Sequence, residues 1–193
     1  MNRLTYGVLA LMMVLLLPAC GTQKKAAETS ITAAQTVYDQ IKEQALKLAP
    51  EEARVIEDAI AAARADVKKG DFEAAIEGTK DLPTKAKELN DGLPAKAAEL
   101  KTTWASLNAV LPGAVATLNK KMGSMTRPPV GMDKAKFAAA KTTWADMKTK
   151  WGEATVAAQN GRWAEAVTKA VGVKASMVQV MTAMKMPVPK GLR

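Results

Sequence analysis

The chain has no histidine and a single cysteine, Cys20, among its 193 residues. Those two scarcities remove most site chemistry. Zinc, copper, haem and iron–sulfur centres draw their ligands largely from imidazole and thiolate. Serine–histidine and cysteine–histidine catalysis are excluded for want of the base. The four serines, Ser30, Ser106, Ser124 and Ser176, have no lysine three residues downstream, so the Ser-x-x-Lys arrangement is missing as well. One cysteine cannot form an internal disulfide, and stability must come from packing alone. Aromatic residues make up only 4%, and nothing alternates as a strand would. The chain is instead rich in alanine and in methionine, which favours helix throughout.

Acids remain as a catalytic option. Glu51-Glu52 and Glu57-Asp58 read as a helix start and its solvated face. No Asp or Glu falls inside an apolar seam of the last three predicted helices, and Glu153, beside Trp151-Gly152, lies off its seam. The sequence therefore points to a protein that is not an enzyme and needs no cofactor or metal. The alternative is an enzyme working on cell-wall or lipid substrates through carboxylates.

Charge is abundant and uneven. The chain carries 28 Lys and Arg against 19 Asp and Glu, a net of +9. Residues 21–118 hold 13 basic and 15 acidic groups, whereas residues 119–193 hold 14 basic and 4 acidic, a net of +10. Lys134, Lys141 and Lys148 recur every seven residues and so share one helix face, with few acids near them. They are the candidate anion-facing residues. A solvated face is the other reading of the same spacing. Anionic lipid, polysaccharide or an acidic envelope protein would be the matching partners.

Apolar periodicity predicts an all-α fold, an antiparallel bundle of about six helices. Ile31, Ala34, Tyr38, Ile41, Ala45 and Leu48 recur at spacings of three and four and define the first helix, ended by Ala49-Pro50. Pro50, with Glu51 and Glu52 in the first turn, opens the second, which buries Val55 or Ile56, Ala59, Ile60, Ala63 and Val67 and stops at Gly70. Phe72, Ala75, Ile76, Thr79 and Leu82 mark a third, broken or kinked at Pro83, with Ala86 and Leu89 continuing its stripe. Asn90-Asp91-Gly92 reads as a turn. A long fourth helix from about Pro94 to Lys121 carries Leu93, Ala97, Leu100, Trp104, Leu107 and Leu111. The segment 123–132, with Arg127-Pro128-Pro129, reads as the linker. Phe137, Ala140, Trp144, Met147, Trp151, Ala154 and Ala158 define the fifth helix. Trp163, Ala166, Val167, Ala170, Met177, Met181 and Met184 define the sixth. Residues 187–193 should form an extended tail. The tryptophans read as core, with a carbohydrate or peptide platform as the alternative. The late methionines read as pliable core filling over Cu(I) ligands.

The N-terminus adds an address. Arg3 precedes an apolar stretch from Val8 to Leu17, too brief to span a bilayer comfortably, and small residues follow. The run Leu17-Pro18-Ala19-Cys20 resembles a bacterial lipobox. That resemblance implies a signal peptide over residues 1–19, cleavage before Cys20, a diacylglyceryl thioether on its sulfur and acylation of the new amino terminus. Residues 20–28 would be a lipidated tether, residues 29–122 one helical half and residues 133–186 the other. The protein would be anchored in the cell envelope, where nucleic acid is a poor partner. By resemblance to enteric lipoproteins, Gly21 in place of aspartate leans toward the outer membrane, on its periplasmic face.

Two stretches repeat. Lys101-Thr102-Thr103-Trp104-Ala105 returns as Lys141-Thr142-Thr143-Trp144-Ala145, and Gly70-Asp71-Phe72-Glu73-Ala74-Ala75-Ile76 is matched by Gly161-Arg162-Trp163-Ala164-Glu165-Ala166-Val167. The offsets differ. A duplicated three-helix unit, helices one to three answering four to six, fits them loosely. Lys69 to Glu77 also resembles the middle of a tetratricopeptide repeat, which implies antiparallel helical hairpins.

Overall fold

The computed structural model describes the backbone of residues 17–192 and the side chains of residues 21–192. The expected signal segment ahead of Leu17 and the Cys20 sulfur lie outside the described residues. Among the described residues the fold is all-α: α1 (Leu17–Leu48), α2 (Pro50–Lys69), α3 (Phe72–Thr79), α4 (Leu82–Ser124), α5 (Lys134–Gln159) and α6 (Trp163–Ala183), followed by a 3-10 turn at Lys190–Leu192. None of these helices is long and apolar enough to cross a membrane.

The chain divides into two compact units, with the boundary between Leu93 and Pro94. This lies well ahead of the 123–132 segment expected as the linker, which instead joins α4 to α5 inside the second unit. The boundary falls inside α4, so that one helix contributes to both units.

Unit 1 is a mutual packing of α1, α2 and α3, closed by the start of α4. The α1 seam is buried along its whole length, from Ile31 through Tyr38 to Leu48. On α2 the choice left open by the sequence goes to Ile56, which is 3% exposed, while Val55 is 61% exposed. The expected tether is a correction. Helix α1 already runs through residues 20–28, and Ala27 is fully buried in the core. Alanine, lysine and glutamate are good helix formers. Lys24 pairs with Glu28 at 3.9 Å, and Thr29 Oγ1 donates back to the Lys25 carbonyl, so the segment has its own reasons to be helical.

Asn90-Asp91-Gly92 is a second correction: it forms no turn, and α4 passes through it as helix. Leu82, Ala86, Leu93 and Leu100 all turn inward from that helix, and their burial outweighs three residues of turn propensity. The break falls earlier, at Lys80-Asp81, which leaves Pro83 in the first turn, where a missing N–H costs nothing. Pro94 and Pro112 sit inside the helix.

Unit 2 holds the rest of α4 with α5, α6 and the tail. Its core is Leu111, Val115, Leu118, Met122, Phe137, Met147, Val173, Met177, Val180, Met181 and Met184, bordered by the half-buried tryptophans. The tail is not free. Leu192 is 2% exposed, Met186 and Val188 pack against the same core, and Gly191 lies so near Val110 that a Cβ there would come within 3.0 Å of its Cγ1.

The repeated Gly-x-aromatic pieces make the same turn. At Gly70 (φ 84°) the glycine N–H bonds the Val67 carbonyl at 3.1 Å and the next N–H bonds that of Asp66 at 2.9 Å. At Gly161 (φ 70°) the partners are Ala158 at 3.0 Å and Ala157 at 2.9 Å. This paired closure satisfies the orphan carbonyls at a helix end and needs the left-handed conformation that glycine adopts freely. The next helix then buries Ala75 or Ala166 completely, under a half-buried Phe72 or Trp163. Asp71 caps α3 by accepting from the Ala74 N–H at 3.1 Å, a role Arg162 does not fill for α6.

Candidate functional site

Lys134, Lys141 and Lys148 all project from α5. Seven residues of helix advance by about 10 Å and turn by about 20° short of two full turns, so the three form a slightly twisted line along one flank. Asp133 starts this helix by accepting from the Lys136 N–H at 2.7 Å, a bond that also holds its carboxyl below the usual range. Lys134 and Lys148 are exposed and Lys141 is half-buried.

Two of the three are positioned by aromatic rings one turn earlier. Lys141 Nζ lies 4.9 Å from the centre of Phe137, and Lys148 Nζ lies 5.0 Å from that of Trp144. Such contacts attract the ammonium to the negative ring face without neutralising it. The rings themselves are fixed from below: Phe137 is 7% exposed, and Trp144 Nε1 donates to Asn119 Oδ1 at 2.7 Å. Phe137 and Trp144 are thus part of the site and were not singled out as such in the sequence. Their signal was the spacing of four between ring and lysine.

The acids of unit 2 are mostly engaged elsewhere. Glu99 pairs with Lys96 at 3.8 Å and Asp133 with Lys136 at 3.6 Å. Lys169 binds Glu153 at 2.6 Å and Glu165 at 3.7 Å, and Arg162 reaches Glu165 at 3.3 Å. The Lys169 hydrogen bond and then its charge hold Glu153 below the usual carboxylate range, while Glu153 raises Lys169. A carboxyl so held stays ionised at neutral pH and is a poor proton donor. Among the described residues, Lys134, Lys141, Lys148 and Lys150 of α5 and Lys120 and Lys121 of α4 have no carboxylate within 4.0 Å.

The tryptophans are largely committed to one another and to lysines. Trp104 and Trp151 stack at 5.7 Å and 16°, and Lys101 Nζ lies 5.8 Å over Trp163. A groove of about 230 Å³ runs between α5 and α6, lined by Met132, Lys136, Ala139, Thr143, Val180 and Ala183 among others. None of the three lysines in the line borders it. Among the described residues no three His, Cys, Asp or Glu side chains gather as a metal site would require.

The chain matches no protein-family model, no curated protein and no solved structure.

Proposed function

We propose that this is a lipid-anchored protein of the bacterial cell envelope, without catalytic activity, that binds or scaffolds another envelope component through the basic surface of unit 2. The observation that carries the binding part is the α5 lysine line, three ammoniums that have no ion-pair partner among the described residues, in a unit whose acids are nearly all paired. Exposed cations that are not neutralised internally create a field that draws anionic partners. The anchor rests on the lipobox at Leu17-Pro18-Ala19-Cys20, and Gly21 supports the periplasmic face of the outer membrane as the address.

Fractionation of cells producing the wild-type chain and Cys20→Ala tests the anchor. The wild type should pellet with membranes as a lipidated species starting at Cys20, and the variant should be unprocessed or soluble. A variant that is still cleaved before residue 20 and still pellets would overturn the anchor. Crosslinking of the lipidated protein in its own membranes, followed by isolation, should recover an acidic partner or anionic lipid.

A further inference from the structure

We infer that the α5 lysine line docks on the headgroup phosphates of an anionic phospholipid bilayer. This rests on the proposal that the basic face of unit 2 is a binding surface and names what it binds. It does not depend on the lipid at Cys20.

Two observations favour a bilayer over other anionic partners, and a third sets the mode of contact. First, the line lies along an outer flank of α5 and does not border the groove between α5 and α6, so it presents charge to a broad surface. Second, recognition of sugar chains leans on open aromatic faces, and here the rings are engaged. Trp104 and Trp151 cover each other, Trp163 sits under Lys101, and Trp144 sits under Lys148 with its N–H given to Asn119. Third, Phe137 lies in the core at 7% exposure. It cannot insert among acyl chains while it supports Lys141. What remains is a row of cations about 10 Å apart, of which Lys141 and Lys148 are each backed by a ring and Lys134 stands exposed at the start of the helix. Charge complementarity to a sheet of phosphates follows, and contact would be peripheral, with no apolar insertion.

The test uses residues 21–193, which keep every core residue among the described ones, and vesicles of phosphatidylglycerol mixed with phosphatidylcholine. Co-flotation is measured at low and at moderate salt, against pure phosphatidylcholine. Binding should require the anionic lipid and weaken steeply with salt, because exposed charges beyond about 10 Å are screened at 0.1 M. Near such a surface each lysine strengthens binding about fivefold. The triple variant Lys134→Gln, Lys141→Gln, Lys148→Gln should therefore lose about a hundredfold, with helical circular dichroism unchanged. The charge-matched control Lys68→Gln, Lys85→Gln, Lys87→Gln in unit 1 should lose no more than about fivefold. If the triple variant is not helical, Lys148→Gln alone takes its place and should lose about fivefold, against no measurable loss for Lys68→Gln alone.

Equal losses in the two triple variants, or binding insensitive to salt, would overturn the proposal. So would capture by dextran sulfate with no binding to anionic vesicles, which would assign the surface to an acidic polysaccharide. Vesicle binding together with a negative Cys20→Ala fractionation would strike the anchor alone. Failure on vesicles with a positive fractionation would strike the docking surface alone.

Discussion

Isoleucines Ile31, Ile41, Ile56 and Ile60 with Tyr38 fill unit 1, whereas methionines Met122, Met147, Met177, Met181 and Met184 fill unit 2. Their surfaces differ as sharply. Residues 21–93 carry 11 basic and 14 acidic groups, and residues 94–193 carry 16 and 5. Yet the Gly70 and Gly161 turns make the same pair of hydrogen bonds. A shared helical hairpin is thus finished with two chemistries. β-Branched side chains have few rotamers and fill a space in one way; thioethers adapt. Unit 1 has the character of a fixed support with a balanced surface, and unit 2 that of a deformable core under an unneutralised one.

The contrast is broken most directly at Tyr38. Its ring is wholly buried among Ile31, Ile41 and Ile60 and the alanines of the unit 1 core. Tyr38→Ala should cost about 3–5 kcal/mol, the range for deleting a large buried ring, because a rigid surround collapses poorly. Urea unfolding followed by circular dichroism measures it. A loss below about 1 kcal/mol would show that unit 1 relaxes as freely as unit 2 is expected to.

The phenol oxygen of Tyr38 gives a second effect. It is buried with no hydrogen-bond partner among the described residues, and burial, reinforced by the negative charge of Glu57, pushes its pKa from the ordinary 10 to about 12. The folded chain therefore holds this proton more tightly than the unfolded one. The associated stability is complete below about pH 10 and drains away as the pH rises toward 12, amounting to roughly 2–3 kcal/mol. Tyr38→Phe should abolish that alkaline loss. At neutral pH it should leave stability equal or slightly higher, since it removes a polar atom that bonds to nothing. Destabilisation by Tyr38→Phe would mean the hydroxyl is bonded in solution, with the Glu57 carboxylate the nearest acceptor to suspect. Tyr38 is the only tyrosine beyond Tyr6, so its ultraviolet titration can be read directly in the chain from residue 21 onward.

The smallest effect should come from unit 2. Met177 is fully buried, but its neighbours include four other methionines in the same core. Met177→Leu conserves volume and should cost less than about 1.5 kcal/mol. A larger loss, measured by the same unfolding experiment, would show that this core is as tightly specified as that of unit 1.

Much of this architecture was legible in the periodicity. The α1 seam from Ile31 to Leu48 and the α6 seam through Met177, Met181 and Met184 were read correctly because amphipathic spacing reports directly on burial. Punctuation misled at Asn90-Asp91-Gly92, where burial of Leu82, Ala86 and Leu93 keeps the helix intact, and the same residues mark the end of a unit rather than of a helix. Ala27 was missed because a polar segment holding one buried alanine shows no stripe. At the candidate site the lysine line was visible as a heptad. The rings beneath Lys141 and Lys148 stood at a readable spacing of four. The Trp104–Trp151 stack was not readable at all, since it depends on the register between α4 and α5, and no local pattern encodes that.

The early start of α1 also bears on how far the protein can stray. From Cys20 to Ala27, the first fully buried residue among those described, there are seven residues. As helix they measure about 10 Å, and even drawn straight they reach no more than about 25 Å. Anchored at Cys20, the body would be leashed to within about one domain diameter of lipid, with Lys24 and Lys25 inside about one Debye length of its phosphates. Confinement of that kind raises the local concentration of a second, weaker contact to the millimolar range. An attraction too feeble to survive dilution in a test tube would then be satisfied most of the time on the native membrane.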